Sequence, residues 1–124
     1  MLFRSFAGDT GYSPDFSDIA RRFAARQGGR GFDIALIPVG AYEPRWFMKE
    51  QHVDPGEAVR MHRDLRAARS LGIHWGTFEL TDEALDEPPR ALARAMARAA
   101  VSSDEFFLLA LGQTRQLPRR DAAQ

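Results

Sequence analysis

Phe32-Asp33-Ile34-Ala35-Leu36-Ile37-Pro38-Val39 decides the fold of this 124-residue chain. Apart from Asp33 it is apolar from end to end, as expected of a strand buried on both faces in a sheet covered by helices. The segments on either side support that reading. Upstream, Gln27-Gly28-Gly29-Arg30-Gly31 is a helix-breaking loop. Before the loop, Ser13-Pro14 reads as an N-cap with proline in the first turn, and Phe16, Ile19, Ala20 and Phe23 recur at helical spacing. Leu2 to Ala7 is a short strand, stopped by Gly8-Asp9.

Downstream, Gly40 to Asp54 is a connection of a length that compact domains usually reserve for function. Asp54-Pro55 caps a second helix whose inward stripe is Ala58, Met61, Leu65 and Ala68, with Gly72 as its stop. Leu71 to His74 is a very short strand, and Trp75 to Glu87 a second long loop. Pro88-Pro89 opens a third helix, with Asp86 and Glu87 at its positive end and Leu92, Ala95, Met96 and Ala99 inward. Phe106 to Leu111 is a last strand, and the polar tail after Gly112 is expected to fray. Strands alternating with helices give an α/β layered domain with a largely parallel sheet. Its strand-to-helix loops gather at one edge, where open α/β sheets build their sites.

Composition narrows the function classes. Hydrophobic residues make up 44% and charged residues 27%, with 17 basic side chains against 17 acidic ones, so nothing in the balance points to nucleic acid. The late arginines, at 90, 94 and 98 and again at 115, 119 and 120, read as a solvated helix face plus tail. Cysteine is absent, so disulfides and thiolate metal sites are excluded and a metal would need His, Asp and Glu. No apolar run is long enough to span a bilayer, and the start lacks the features of a signal peptide. The expected compartment is the cytoplasm, with peripheral contact at a membrane as an option. There is no phosphate-binding glycine loop, serine nucleophile elbow or H-E-x-x-H helix.

The candidate chemistry sits at strand exits. Asp9, flanked by glycines, either points into a cleft where it can bridge cations or bonds its own backbone as a turn aspartate. His74 either offers a ring nitrogen to a metal or is a core-edge histidine satisfied by a carbonyl. His52 is open to roles as acid, base, ligand or surface residue; the nearby Asp54 has a better use as helix cap. His62 reads as structural. Trp46, Phe47 and Met48 form an apolar patch that can grip an acyl chain, rest on a membrane or pack beneath the loop.

Taken together, the segments 7–12 (AGDTGY), 37–49 (IPVGAYEPRWFMK), 51–55 (QHVDP), 72–78 (GIHWGTF) and 86–89 (DEPP) resemble the metallo-β-lactamase-fold hydrolases, in the branch of N-acyl-phosphatidylethanolamine-hydrolysing phospholipase D. The resemblance implies that residues 1–114 form the C-terminal lobe of an αββα sandwich, with 115–124 as a polar tail. It implies Asp9 as a carboxylate bridging two zinc ions and His74 as a terminal zinc ligand. His52 and Asp9 would be the catalytic residues, with His52 on the substrate phosphate or moving a proton. Gln51 and Tyr42 would line the cleft, and Trp46 and Phe47 would contact a lipid substrate. In that family two zinc ions generate the attacking hydroxide, and phosphodiester hydrolysis releases an N-acylethanolamine and a phosphatidic acid. The family's H-x-H-x-D-H segment, the main source of its ligands, is not among these residues. The expectation is therefore a fragment, inactive alone, that pairs with itself or with a missing N-terminal half. The alternatives are a lactonase-like or other hydrolase of a soluble substrate in the same fold, and a non-catalytic dimerising half-domain.

Overall fold

A computed structural model describes residues 2–120. Four strands, β1 (Arg4–Phe6), β2 (Ile34–Pro38), β3 (Ser70–Ile73) and β4 (Phe106–Phe107), form one parallel sheet in the order β1-β2-β3-β4. Helices α1 (Asp15–Phe23), α3 (Pro55–Asp64) and α4 (Glu87–Ala99) make the crossovers, and a single turn, α2 (Arg45–Met48), lies within the β2–α3 connection. The α/β class with a parallel sheet is as the alternation implied.

Sequential parallel strands joined by right-handed crossovers place every crossover helix on the same face. The contacts agree: α3 packs on β2 and touches both α1 and α4. The registers Ser5↔Ala35, Ala35↔Ser70 and Ser70↔Phe106 run one row across the sheet toward that helix layer. Ala35, Ser70 and Phe106 in that row are almost fully buried. Small residues in the row let α3 settle close, and Ile37, Val53, Met61 and Leu65 close the core around it without exposure. Truncating Leu65 to alanine there should destabilise the fold by about 2–5 kcal/mol.

α3 starts as its sequence directs. The Asp54 side chain accepts from the Glu57 amide at 2.8 Å, and the Glu57 side chain accepts from the Asp54 amide at 3.0 Å, which makes a reciprocal capping box ahead of Pro55. α1 begins one residue later than the Ser13-Pro14 pattern suggested, and the Ser13 hydroxyl accepts from the Asp15 amide at 3.3 Å.

Four local expectations change. Gly72 does not end α3; that helix closes at Leu65, Arg66 turns into the left-handed region at φ 52°, and Gly72 lies inside β3. A side-chain carbon on Gly72 would lie 2.3 Å from the Leu108 methyl, so Leu108 turns inward over it. That turn takes the last strand out of the sheet after two residues instead of six. On the face away from the helices, β2 is half-covered at Ile34 and Leu36, and Phe6 is 70% exposed. Lastly, the tail does not fray through Arg120. Arg115 lies 4.2 Å over the Phe107 ring and pairs with Asp104, and Arg120 donates to the Arg30 carbonyl at 2.9 Å. The end of the tail, 121–124, lies outside the described residues.

Candidate metal centre

The C-terminal ends of β1, β2 and β3 open onto a cluster of three side chains. Asp9 follows β1, His52 closes the β2–α3 connection, and His74 is the first residue after β3. A ligating atom from each lies within 4.8 Å of the others. Asp9 Oδ1 stands 3.5 Å from His74 Nε2, and the His52 and His74 rings stack at 5.3 Å between centroids, 23° from parallel.

Local backbone geometry brings these side chains together. At Gly11 an added carbon would lie 2.5 Å from the Glu50 carbonyl oxygen, so only glycine lets the segment before His52 press against the Asp9 loop. The Val53 amide then donates to the Thr10 carbonyl at 2.9 Å and fastens the two together. At Gly40 an added carbon would lie 2.3 Å from the His74 carbonyl oxygen. His74 itself has φ 62°, a left-handed backbone that a histidine adopts only where its surroundings enforce it. It turns the imidazole off the line of β3 and toward Asp9.

His52 is anchored through its main chain. Its amide donates to Met48 at 2.8 Å, and its carbonyl accepts from Arg45 Nη1 at 2.7 Å. Arg45 Nη2 donates to Glu57 Oε2 at 2.7 Å, so the capping box of α3 and the backbone at His52 form one network. The buried Nδ1 of His52 has no hydrogen-bond partner among the described residues.

Metal ligands on a tetrahedral shell at about 2.0–2.2 Å from zinc stand roughly 3.3–3.6 Å apart. The Asp9–His74 separation falls in that range, and a ring nitrogen of His52 lies within 4.8 Å of both. One carboxylate and two imidazoles suit a borderline divalent ion such as zinc. Asp9 and His74 fit one side of such an ion, with His52 close beside them, and leave the rest of its coordination to other groups.

Beside His74 an apolar cavity of about 330 Å³ opens between the loop after β3 and the start of α4, lined by Ala41, Trp75, Phe78, Leu80 and Leu85. Glu83 lies at its inner wall and accepts from the amides of Tyr42 (3.2 Å) and Glu43 (3.0 Å). Burial alone would raise the Glu83 carboxyl, but bonds from backbone amides and Thr81 outweigh it and hold it below the usual range.

Other residues singled out in the sequence fall elsewhere. Tyr42 is buried and lines a separate polar cleft with Asp54, Glu83, Glu87 and Arg94. Its hydroxyl has no partner among the described residues, and burial, then the nearby Glu83, pushes it up to about 12. Trp46 and Phe47 project from α2, 83% and 64% exposed, with their rings edge to face at 5.7 Å. Gln51 is exposed on the same connection. None of these four lines the cavity beside His74. His62 is buried in the core, Nδ1 2.8 Å from Ser70 Oγ, which is a structural role. Sequence reasoning placed Arg45 and Gly40 in the long connection and gave neither a role in the site. The long stretch without repeating pattern between Val39 and Asp54 carried no local signal for an arginine folding back on its own loop.

A single parallel sheet with a His–His–Asp cluster at its strand exits puts the candidate site at the carboxyl edge, where open α/β domains build theirs. The chain belongs to the family described as Beta-lactamase superfamily domain, whose model matches residues 3–75. It is 42% identical over 111 residues to the N-acyl-phosphatidylethanolamine-hydrolyzing phospholipase D 1 of Caenorhabditis elegans, which covers 87% of this chain and 30% of that protein. It is 40% identical over 109 residues to the mitochondrial enzyme of that name from Saccharomyces cerevisiae, covering 87% of this chain and 22% of the other. An uncharacterised protein of Mycobacterium tuberculosis is 40% identical over 93 residues, 73% of this chain and 23% of its own length. The chain thus spans less than a third of each of these relatives.

Proposed function

We propose that these residues form the downstream wall of a zinc-dependent phosphodiesterase of the phospholipase D kind, acting on an N-acylated phospholipid. The observation that carries this is the convergence of Asp9, His52 and His74 at the strand exits, in a chain 42% identical to a protein named for that hydrolysis. When bound, the metal supplies charge stabilisation and an activated water. Asp9 and His74 hold it from one side. His52, fixed by Arg45 through its backbone, faces the reacting phosphate and donates a hydrogen bond or moves a proton. The cavity behind His74 excludes water and accepts an apolar part of the substrate, while Trp46 and Phe47 rest at a lipid surface. No helix among the described residues is long and apolar enough to cross a membrane.

The three histidines of the sequence, 52, 62 and 74, do not make an H-x-H-x-D-H segment. Alone, therefore, the chain would lack ligands for two ions and would not turn over substrate; it would seek a second copy or a complementary half. The test is fragment complementation in zinc-containing buffer. The chain is mixed with the part of the nematode relative that it does not cover, and N-acylethanolamine release is measured. Release that needs both pieces and is lost with Asp9→Asn and His74→Ala supports the reading. Hydrolysis of a soluble phosphodiester or lactone but not of lipid would replace it with the soluble-substrate alternative.

A further inference from the structure

At the opposite end of the sheet the tail closes a second cleft. Its volume is about 220 Å³, and Arg4, Arg69, Arg119 and Arg120 line it together with Leu117 and Ile34. A water's share of liquid volume is about 30 Å³, so the space equals roughly seven waters. Arg4 lies at the start of β1, and Arg69 immediately precedes β3. The cleft is therefore separated from the Asp9–His52–His74 cluster by the length of the strands, roughly 16 Å for five residues at 3.3 Å each.

The charge here is lopsided in a chain that is neutral overall. Four guanidinium groups face one carboxylate, Asp33, which is already engaged by the Phe3 amide at 2.8 Å and by Arg120 at 3.7 Å. Arg120 is pinned as a roof by the carbonyls of Arg30 and Phe32, and Arg30 returns a bond to the Arg120 carbonyl at 3.3 Å. Arg4, Arg69 and Arg119 make no ion pair among the described residues, and the buried Nε of Arg69 has no hydrogen-bond partner there. A buried donor left unpaired is costly, and planar guanidinium forks match phosphate oxygens better than any other common group.

We propose that this cleft binds a phosphate monoester carrying a short apolar substituent, its phosphoryl oxygens on Arg4 and Arg69 and its apolar part against Leu117 and Ile34. The site is independent of the metal cluster and of the hydrolytic reading. The phosphoryl group can arrive on a soluble ester or on a phosphatidic acid headgroup, and the two sources present the same dianion.

The test is calorimetric titration of the whole chain, in chelator, with inorganic phosphate and with butyl phosphate, alongside sedimentation with phosphatidylcholine vesicles with and without phosphatidic acid. Butyl phosphate, the doped vesicles or both should bind, and where soluble phosphates bind, butyl phosphate should be held more tightly than inorganic phosphate. Arg69→Gln and the exposed Arg4→Gln should each weaken binding about tenfold, the worth of one charge-assisted hydrogen bond. The Asp9→Asn variant should bind as the wild type does. Binding lost in Asp9→Asn but kept in both arginine variants would overturn the proposal. So would no binding in either arm, binding unchanged in both arginine variants, or soluble binding in which butyl phosphate is held no more tightly than inorganic phosphate.

Discussion

Asp9 Oδ1 lies 3.5 Å from His74 Nε2, although the two residues belong to separate strand exits and 64 residues of chain lie between them. The pair is held by packing of backbone on backbone more than by its own attraction. Gly11 admits the 49–50 carbonyls beside the Asp9 loop, and Gly40 admits the His74 carbonyl beside the β2 exit.

Gly40→Ala is accordingly expected to act on the site as well as on the fold. The new methyl would sit 2.3 Å from the His74 carbonyl oxygen, and main chain has to move to relieve it. Overpacking of this kind destabilises by about 1–3 kcal/mol. Urea denaturation reads the stability, and the chemical shifts of the His74 ring protons should move while those of His62 stay in place.

Tyr42→Phe tests whether the buried hydroxyl is unpaired in the folded chain. The Tyr42 hydroxyl is buried without a partner, and removing an unpaired buried hydroxyl is expected to raise stability by about 1 kcal/mol. A loss of stability in denaturant titration would mean that the hydroxyl is satisfied by a bridging water.

His62 gives the fold a dependence on pH. Burial lowers its pKa, so the folded state keeps the ring neutral while the unfolded chain takes up a proton near pH 6.5. The unfolded state then binds more protons, and stability falls as pH drops through about 6.5. The fall ends once the folded ring protonates as well. Above this window the contribution is fully present. His62→Gln keeps a polar group against Ser70 and should remove this part of the slope, measured as the difference between variant and wild type in denaturation midpoints at pH 7.5 and 5.5.

Much of the fold could be read from local pattern, because its causes are local. The Asp54–Glu57 box, Pro55 and the Ala58, Met61 and Leu65 stripe each act within a few residues. Where the pattern misled, a distant partner was responsible. Leu108 folding over Gly72 shortened β4, and Arg115 and Arg120 tied down a tail whose own composition is that of a loose end. For the site, family resemblance pointed to Asp9, His52 and His74, and the structure sets the three side by side. The role of Arg45 was not legible because its partners, the Tyr42 and His52 carbonyls and Glu57, are joined only once the loop has folded. The arginine cleft escaped because its members lie at three separate points of the chain, and their clustering exists only in three dimensions.

The central claim is that Asp9 and His74, with His52 beside them, make one side of a metal centre completed by other ligands. Zinc titration of the purified chain, read as ions bound per monomer at neutral pH, tests it most directly. One weakly held ion is predicted, with affinity falling by more than about 100-fold in Asp9→Asn or His74→Ala, beyond what the loss of an outer-shell partner causes. Two tightly bound zinc ions per monomer, or binding untouched by either substitution, would contradict it.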